Sequence, residues 1–399
     1  MRARPTRQGI MLLAAGILAI IIGRMFGVLE LFLIGAALLL STAFAVVVVA
    51  GRRPQIEVER WIRPSVLTAG DVGRVEVLVE SVGRSTSPPF ELVEPVGSTR
   101  TARMAVAPLE ANTDVSAGYR VPTERRGVLT IGPLVAVRQD VLGLARSTIE
   151  VAGVEEVLVS PRAYSLDMPL LGQGVLGRHL LALAQRLGPG DFHSLRDYID
   201  GDEPRTIHWR ASARSETLKV RQHSVEGLQR CVVLLDQHVP AGPHAADAFE
   251  RAVTAAASVV HSADRAGLTT RFVTTEGADL RGPDVAAQTL HLLARIETST
   301  APAVPIARDP SEGLGLVVSI GTDPWVTSWA AFDRIADPAL TPIGVFTSDI
   351  RHRIPLLAVD ARFEGAFLRS WAALAGATRA AGARRDPRAP DPILSEVAP

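Results

Sequence analysis

Between Gly190 and His223 the chain reads GDFHSLRDYIDGDEPRTIHWRASARSETLKVRQH. Asp191, His193, Arg196, Asp197, Asp200, Asp202, Glu203, Arg205, His208, Arg210 and Arg214 crowd together there, with Tyr198 and Trp209 interleaved. Carboxylates beside imidazoles are the raw material of general acid–base chemistry near neutral pH, so a hydrolase using the Asp/His cluster of residues 191–208 is one reading. Such an enzyme also needs a nucleophile or a metal-bound water set against the base. The chain has no Gly-x-Ser-x-Gly, His-Glu-x-x-His or P-loop pattern and no Cys/His pairing, which argues against that reading. Tyr198 and Trp209 among arginines could stack on nucleic acid bases. The acidic run Asp200–Glu203 and a formal net charge of +0 argue against that partner. Internal pairing is simpler: Arg196, Arg205, Arg210 and Arg214 are expected to pair with Asp197, Asp200, Asp202 and Glu203. Tyr198, Ile207 and Trp209 are then expected to pack beneath a neighbouring sheet, and an exposed Trp209 would mark a ligand site instead.

The order of these residues resembles the signature of domain-of-unknown-function family 58, roughly Gly-x-x-x-x-Leu-Arg-Glu/Asp-Tyr-x-x-Gly-Asp-x-x-Arg-x-Ile-x-Trp-x-x-Ser/Thr-Ala-Arg. Gly190, Leu195, Arg196, Asp197, Tyr198, Gly201, Asp202, Arg205, Ile207, Trp209, Ser212, Ala213 and Arg214 fall in register, with His208 where the family usually has Asp. Arg125-Arg126-Gly127 through Gly132-Pro133 and Asp140-Val141-Leu142-Gly143-Leu144 are similar to two further family segments, Val141-Leu142 replacing Pro-Phe. The resemblance implies a membrane-anchored protein with a von Willebrand factor A-like domain, working beside a MoxR-type AAA+ ATPase. It makes Arg196, Asp197, Tyr198, Gly201, Asp202, Arg205, Trp209 and Arg214 interaction residues and assigns no catalytic ones.

Domains of the von Willebrand type hold Mg²⁺ through Asp-x-Ser-x-Ser after their first strand. The corresponding run is Asp236-Gln237-His238-Val239-Pro240, so both hydroxyl positions are lost. Asp236 and Asp323 are left as weak metal candidates, since Mg²⁺ wants an octahedron of hard oxygens. No cofactor is expected. Gly172-Gln173-Gly174-Val175-Leu176-Gly177 spells the dinucleotide fingerprint, but Asp167-Met168-Pro169 ahead of it makes a poor strand, and the segment is read as a flexible loop. Cys231, the single cysteine, opens an apolar run and is read as a buried, inert thiol.

The elements that position these residues follow from periodicity. Ile10–Gly23 and Leu31–Ala50 are apolar, flanked by Arg2, Arg4 and Arg7 on one side and Arg52 and Arg53 on the other. The spacing predicts a transmembrane hairpin over residues 10–50, with both ends and the soluble bulk cytoplasmic by the positive-inside rule. From Gln55 to about Ser160 apolar residues alternate, as in Val75, Val77 and Val79, and turn residues recur, which predicts a β-sandwich. Strands are expected at Ile56–Trp61, Phe90–Val96, Val115–Val121, Val128–Ile131, Leu134–Val137 and Glu156–Val159. Beyond Cys231–Leu235 buried strands alternate with helices at Ala245–Ala266, Pro283–Ile296, Trp325–Ile335 and Glu364–Leu374, implying a mostly parallel sheet with helices on both faces.

The fold class is therefore multidomain: a transmembrane helical hairpin (1–53), a β-sandwich (54–160), a connector (161–189), the signature segment (190–230), an α/β von Willebrand factor A-like domain (231–375) and a disordered tail (376–399). The function expected is a non-enzymatic scaffold or adaptor at the cell membrane, acting with a MoxR-type ATPase on envelope complexes.

Overall fold

The computed structural model describes residues 2–51, 54–187, 192–199, 207–223, 227–238, 242–308, 312–322, 337–348 and 357–376. The expected disordered tail, the helix at 325–335, and Gly201, Asp202, Arg205 and Asp323 lie outside the described residues. Two compact units emerge, Met1–Arg162 with Leu290–Ile296, and Ala163–Thr289 with Glu297–Pro399.

In the first unit two helices, α1 (Arg7–Phe26) and α2 (Leu29–Gly51), are long and apolar enough to cross a membrane. Thr6 caps α1, its Oγ1 accepting from Gly9 N at 3.1 Å, and Gly27 ends it in the left-handed conformation. The helices pack closely where Gly16 meets Gly35: a Cβ on Gly35 would fall 2.6 Å from the Gly16 carbonyl oxygen, so only glycine permits this approach.

The strands of this unit are β1 (Arg2–Pro5), β2 (Ile56–Arg63), β3 (Leu67–Thr68), β4 (Gly73–Ser81), β5 (Phe90–Val96), β6 (Arg100–Val106), β7 (Asp114–Val121), β8 (Gly127–Ile131), β9 (Leu134–Gln139), β10 (Ala145–Ala152) and β11 (Glu155–Ser160). One sheet runs β1-β10-β9-β5-β8-β11-β3 with β6 added on β5; the other is β2-β4-β7. Val75, Val77 and Val79 of β4 share one core with Phe90, Leu92 and Val96 of β5 and with Ile131 and Leu134. Alternation places these residues on inner faces while Arg74 and Glu80 stay in solvent. The strand β1, which nothing in its composition announces, pairs antiparallel with β10, Arg2 opposite Thr148 and Pro5 opposite Ala145.

The second unit carries a two-stranded ribbon, β12 (Phe192–Asp197) with β13 (Lys219–His223), and a six-stranded sheet. The sheet strands are β14 (Arg230–Leu235), β15 (Thr269–Thr274), β16 (Asp279–Arg281), β17 (Gly315–Gly321), β18 (Leu340–Phe346) and β19 (Leu357–Asp360). Their order is β16-β15-β14-β17-β18-β19, parallel throughout except for the antiparallel edge β16. Every residue of β14 is buried, as its unbroken apolar run requires of a central strand. The helices beyond Arg162 are α3 (Gly174–Leu187), α4 (Trp209–Ser212), α5 (Ala245–Arg265), α6 (Val285–Arg295, whose residues from Leu290 on belong to the first unit) and α7 (Glu364–Ala375). Phe249, Ala252, Val253, Ala256, Val259 and Val260 of α5 are buried, as their stripe predicted.

The connector ahead of the glycine fingerprint is tied to two helices. Ser258 and Ser262, one turn apart on α5, accept from Tyr164 N and Leu166 N, both at 2.9 Å, and Trp371 Nε1 of α7 donates to Asp167 O at 2.9 Å. The glycine fingerprint opens α3 with no strand before it, since residues 161–170 belong to no sheet.

Candidate functional site

The signature residues converge on the β12–β13 ribbon. The backbone pairs Arg196 with Val220 and Asp197 with Lys219, and Ile207 bridges to Val220. Ser212 organises the crossing: its Oγ accepts from Lys219 N at 2.8 Å and donates to His208 O at 3.1 Å. His208 caps the single turn α4, Nδ1 accepting from Ala211 N at 3.0 Å. A hydroxyl three residues after Trp209 is what the signature's Ser/Thr position supplies, and sequence reading did not assign it this role.

Asp197 is held by Lys219 Nζ at 2.5 Å and Thr217 Oγ1 at 2.6 Å, the lysine being the chain's sole one. That lysine bond, then the Thr217 bond, hold its carboxyl below the usual range. One expectation for this segment needs correction: Ile207 is buried and Tyr198 half-buried, but Trp209 is 64% exposed and does not pack beneath a sheet. A four-residue helix offers too little surface to bury an indole, and α4 turns its tryptophan outward beside exposed Arg210 and Arg214. The pairing expected of Asp200, Asp202, Glu203 and Arg205 falls outside the described residues.

The second constellation lies where the parallel strands end. Asp236, 1% exposed, follows β14, and its Oδ1 accepts from His238 N at 2.9 Å with His238 Nδ1 3.3 Å away. Thr322 Oγ1 donates to His238 O at 3.0 Å, and Ser348 Oγ donates to Thr322 O. Gln237 is fixed by Thr275, whose Oγ1 accepts from Gln237 N at 3.0 Å, and by Glu276, whose Oε2 accepts from Gln237 Nε2 at 3.2 Å. Strand carboxyl ends are where open α/β sheets gather ligands. Here one carboxylate is engaged with its own loop, one imidazole stands at a hydroxyl position, and the nearby hydroxyls bind carbonyls. Among the described residues no three His, Cys, Asp or Glu side chains come together as a metal group. Cys231, four residues before the end of β14, is fully buried, and burial pushes its thiol up to about 12.

A third polar cluster was not anticipated. Glu94, fully buried in β5, pairs with Arg60 NH1 of β2 and accepts from Tyr119 Oη of β7 at 2.7 Å, and Arg60 NH2 reaches Glu155 Oε2 at 2.9 Å. It links the two sheets of the first unit. Burial, reinforced by the bond to Glu94, raises the Tyr119 hydroxyl well above its ordinary pKa. The signal was present: Glu94 shares the inward phase of Phe90, Leu92 and Val96, and Arg60 that of Ile56, Val58 and Ile62.

No curated protein matches the chain. Among solved structures it is similar to the CARDB domain of a Pyrococcus furiosus protein crystallised with two metal ions, at 16% identity over 27% of this chain and 94% of that one, with a TM-score of 0.20. It is also similar to a β-glucosidase from Erythrobacter marinus (12% identity, 26% of this chain and 15% of that one, TM-score 0.19). A third likeness is to the putative ApaA protein of Bordetella pertussis (11% identity, 26% and 91%, TM-score 0.19). Likenesses this slight assign neither fold nor activity. Residues 194–313, from β12 through the signature to the loop before β17, match the family described as Protein of unknown function DUF58. That segment, the ribbon with its outward tryptophan and the first strands of the parallel sheet, is the part of the chain that is similar to this family.

Proposed function

We propose that the chain is a membrane-anchored, non-enzymatic adaptor that docks a protein partner on the face around Trp209. Exposed Trp209 flanked by exposed Arg210 and Arg214 carries this reading, because tryptophan and arginine are the residues that most often anchor protein interfaces and a solitary structural brace would bury the indole. The strand order β16-β15-β14-β17-β18-β19 with one antiparallel edge supports a von Willebrand factor A-like domain, and the two facing sheets of the first unit support a β-sandwich.

The pairing of β1 with β10 supports a two-pass anchor, because it holds the residues before α1 and the sheet after α2 on one side of the membrane. Arginines at both ends of the helix pair support a cytoplasmic location for that side. The partner class follows from the family resemblance: a MoxR-type AAA+ ATPase, with which the adaptor assembles or remodels envelope complexes.

Crosslinking and co-purification from membranes should recover such an ATPase, and Trp209→Ala should lower recovery by a factor of about 30, as loss of a hot-spot residue does. Equal recovery with the variant would remove Trp209 from the docking face. Hydrolytic turnover by the full chain, abolished by Asp202→Ala, would replace the adaptor with an enzyme. A carboxyl-terminal reporter active only outside the membrane would overturn the topology.

A further inference from the structure

We infer that the turn Asp140–Gly143 between β9 and β10 is a lipid-contacting wedge, seating Val141 and Leu142 in the interface of an anionic bilayer. This rests on reading α1 and α2 as membrane spans.

The turn presents an apolar pair to solvent: Val141 is fully exposed and Leu142 is 68% exposed. Single exposed hydrophobic residues are ordinary. These two differ in being held out by a locked backbone and in where they are held. Asp140 Oδ2 accepts from Leu142 N at 3.0 Å, Oδ1 accepts from Ala145 N at 2.6 Å, and Asp140 O accepts from Gly143 N at 3.0 Å. Such a side-chain-to-backbone turn fixes the loop before any partner arrives, so little ordering entropy is lost on insertion.

The location is set by the helix ends. Thr6, the cap of α1, donates from N to Leu144 O at 2.8 Å and from Oγ1 to Gly143 O at 2.5 Å. Gly9, in the first turn of α1, lies so close to Leu144 O that any Cβ would overlap it. Ala45 and Val49, in the last turns of α2, are buried with Leu144 and Ala145 in one cluster that Leu12 and Val46 complete. The turn therefore sits level with the first turn of one span and the last turns of the other, where hydrocarbon gives way to headgroups. Charge points to the same surface. Arg4 and Arg146 are cross-strand partners, both exposed, and Arg7 is exposed at the helix start. Like charges directly opposite each other repel, and anionic headgroups relieve that repulsion while favouring each arginine.

The test uses the full chain, whose native thiol is buried at Cys231. Leu142→Cys, Ile17→Cys on the exposed side of α1 and Val66→Cys beyond the far end of β2 would each be labelled with an environment-sensitive nitrobenzoxadiazole dye. Each would be reconstituted into phosphatidylcholine vesicles with and without phosphatidylglycerol. The wedge predicts blue-shifted emission at position 142, quenched by headgroup-level spin-labelled lipid, with position 17, mid-span, quenched by lipid spin-labelled deep on its acyl chain and position 66 unaffected by either. Quenching at 142 should deepen when phosphatidylglycerol is present; equal quenching in both vesicles would overturn the anionic preference. An unquenched, water-like label at 142 beside a quenched one at 17 overturns the wedge while leaving the spans intact. A blue shift at 142 without lipid quenching assigns the turn to a protein neighbour and overturns it equally. No quenching at either 142 or 17 overturns the spans themselves.

Discussion

Glu94 and Asp236 are both buried carboxylates, and the two units treat them in opposite ways. Glu94 sits between sheets and is matched by partners distant in sequence, the guanidinium of Arg60 and the hydroxyl of Tyr119. Asp236 sits at the end of β14, and its contacts include its own loop, through His238 two residues on. Removing the first leaves an arginine, only 7% exposed, without its buried counter-charge; removing the second loosens one turn. A buried acid with a remote cation is a brace, whereas one satisfied locally at a strand end shapes a ligand-facing loop. Charge alone does not distinguish them, but the sequence distance to the partner does.

The largest expected effect breaks the brace. Glu94→Leu in the full chain should cost about 3–5 kcal/mol, because an uncompensated buried charge remains, and urea unfolding of the first unit reads it. A loss under about 1 kcal/mol would mean that Arg60 finds Glu155 sufficient and would dissolve the contrast. Next, Asp236→Asn should cost about 1–2 kcal/mol, the scale of local hydrogen bonds. A loss equal to that of Glu94→Leu would make both acids braces.

A third carboxylate sharpens the contrast through pH. Bonds from Arg271, together with Arg281, hold Asp279 well below the usual carboxylate range despite partial burial. Its folded pKa is depressed, so its contribution is complete above the unfolded value near 4 and is lost as pH falls through the folded value. Asp279→Asn should therefore lower stability at neutral pH and flatten the acid limb of the stability profile; an unchanged limb would show that the pair contributes nothing. The smallest effect is a null one. Cys231, its thiol pushed up to about 12, should resist alkylation at about pH 8 until the second unit opens, and prompt labelling would contradict the burial of β14.

Much of the fold was legible because it depends on pattern. Phe90–Val96 has the bounds its alternation suggested, and the apolar run Cys231–Leu235 is strand but for one added residue, Arg230. Among the strands that escaped, β1, β6 and β10 carry arginines and exposed positions and owe their pairing to main-chain neighbours rather than to an apolar face. The candidate site divides the same way. The signature's spacing identified its family, but which way Trp209 faces could not be read from a one-turn helix that has no second turn to define a stripe. The Glu94–Arg60 pair was readable from phase, since each interrupts an inward-facing row with a charge.

The edge strand β1 also bears on how the molecule is made. Arg2 cannot find Thr148 until the whole span between them, both helices and strands β2 through β9, has left the ribosome. Closing so long a loop makes this a late step. On the proposed membrane reading, the helix pair takes its orientation while Arg2–Pro5 is still unpaired. The sheet then claims those residues afterwards, as a latch. A bulky substituent at Arg2 would be felt only at that last closure.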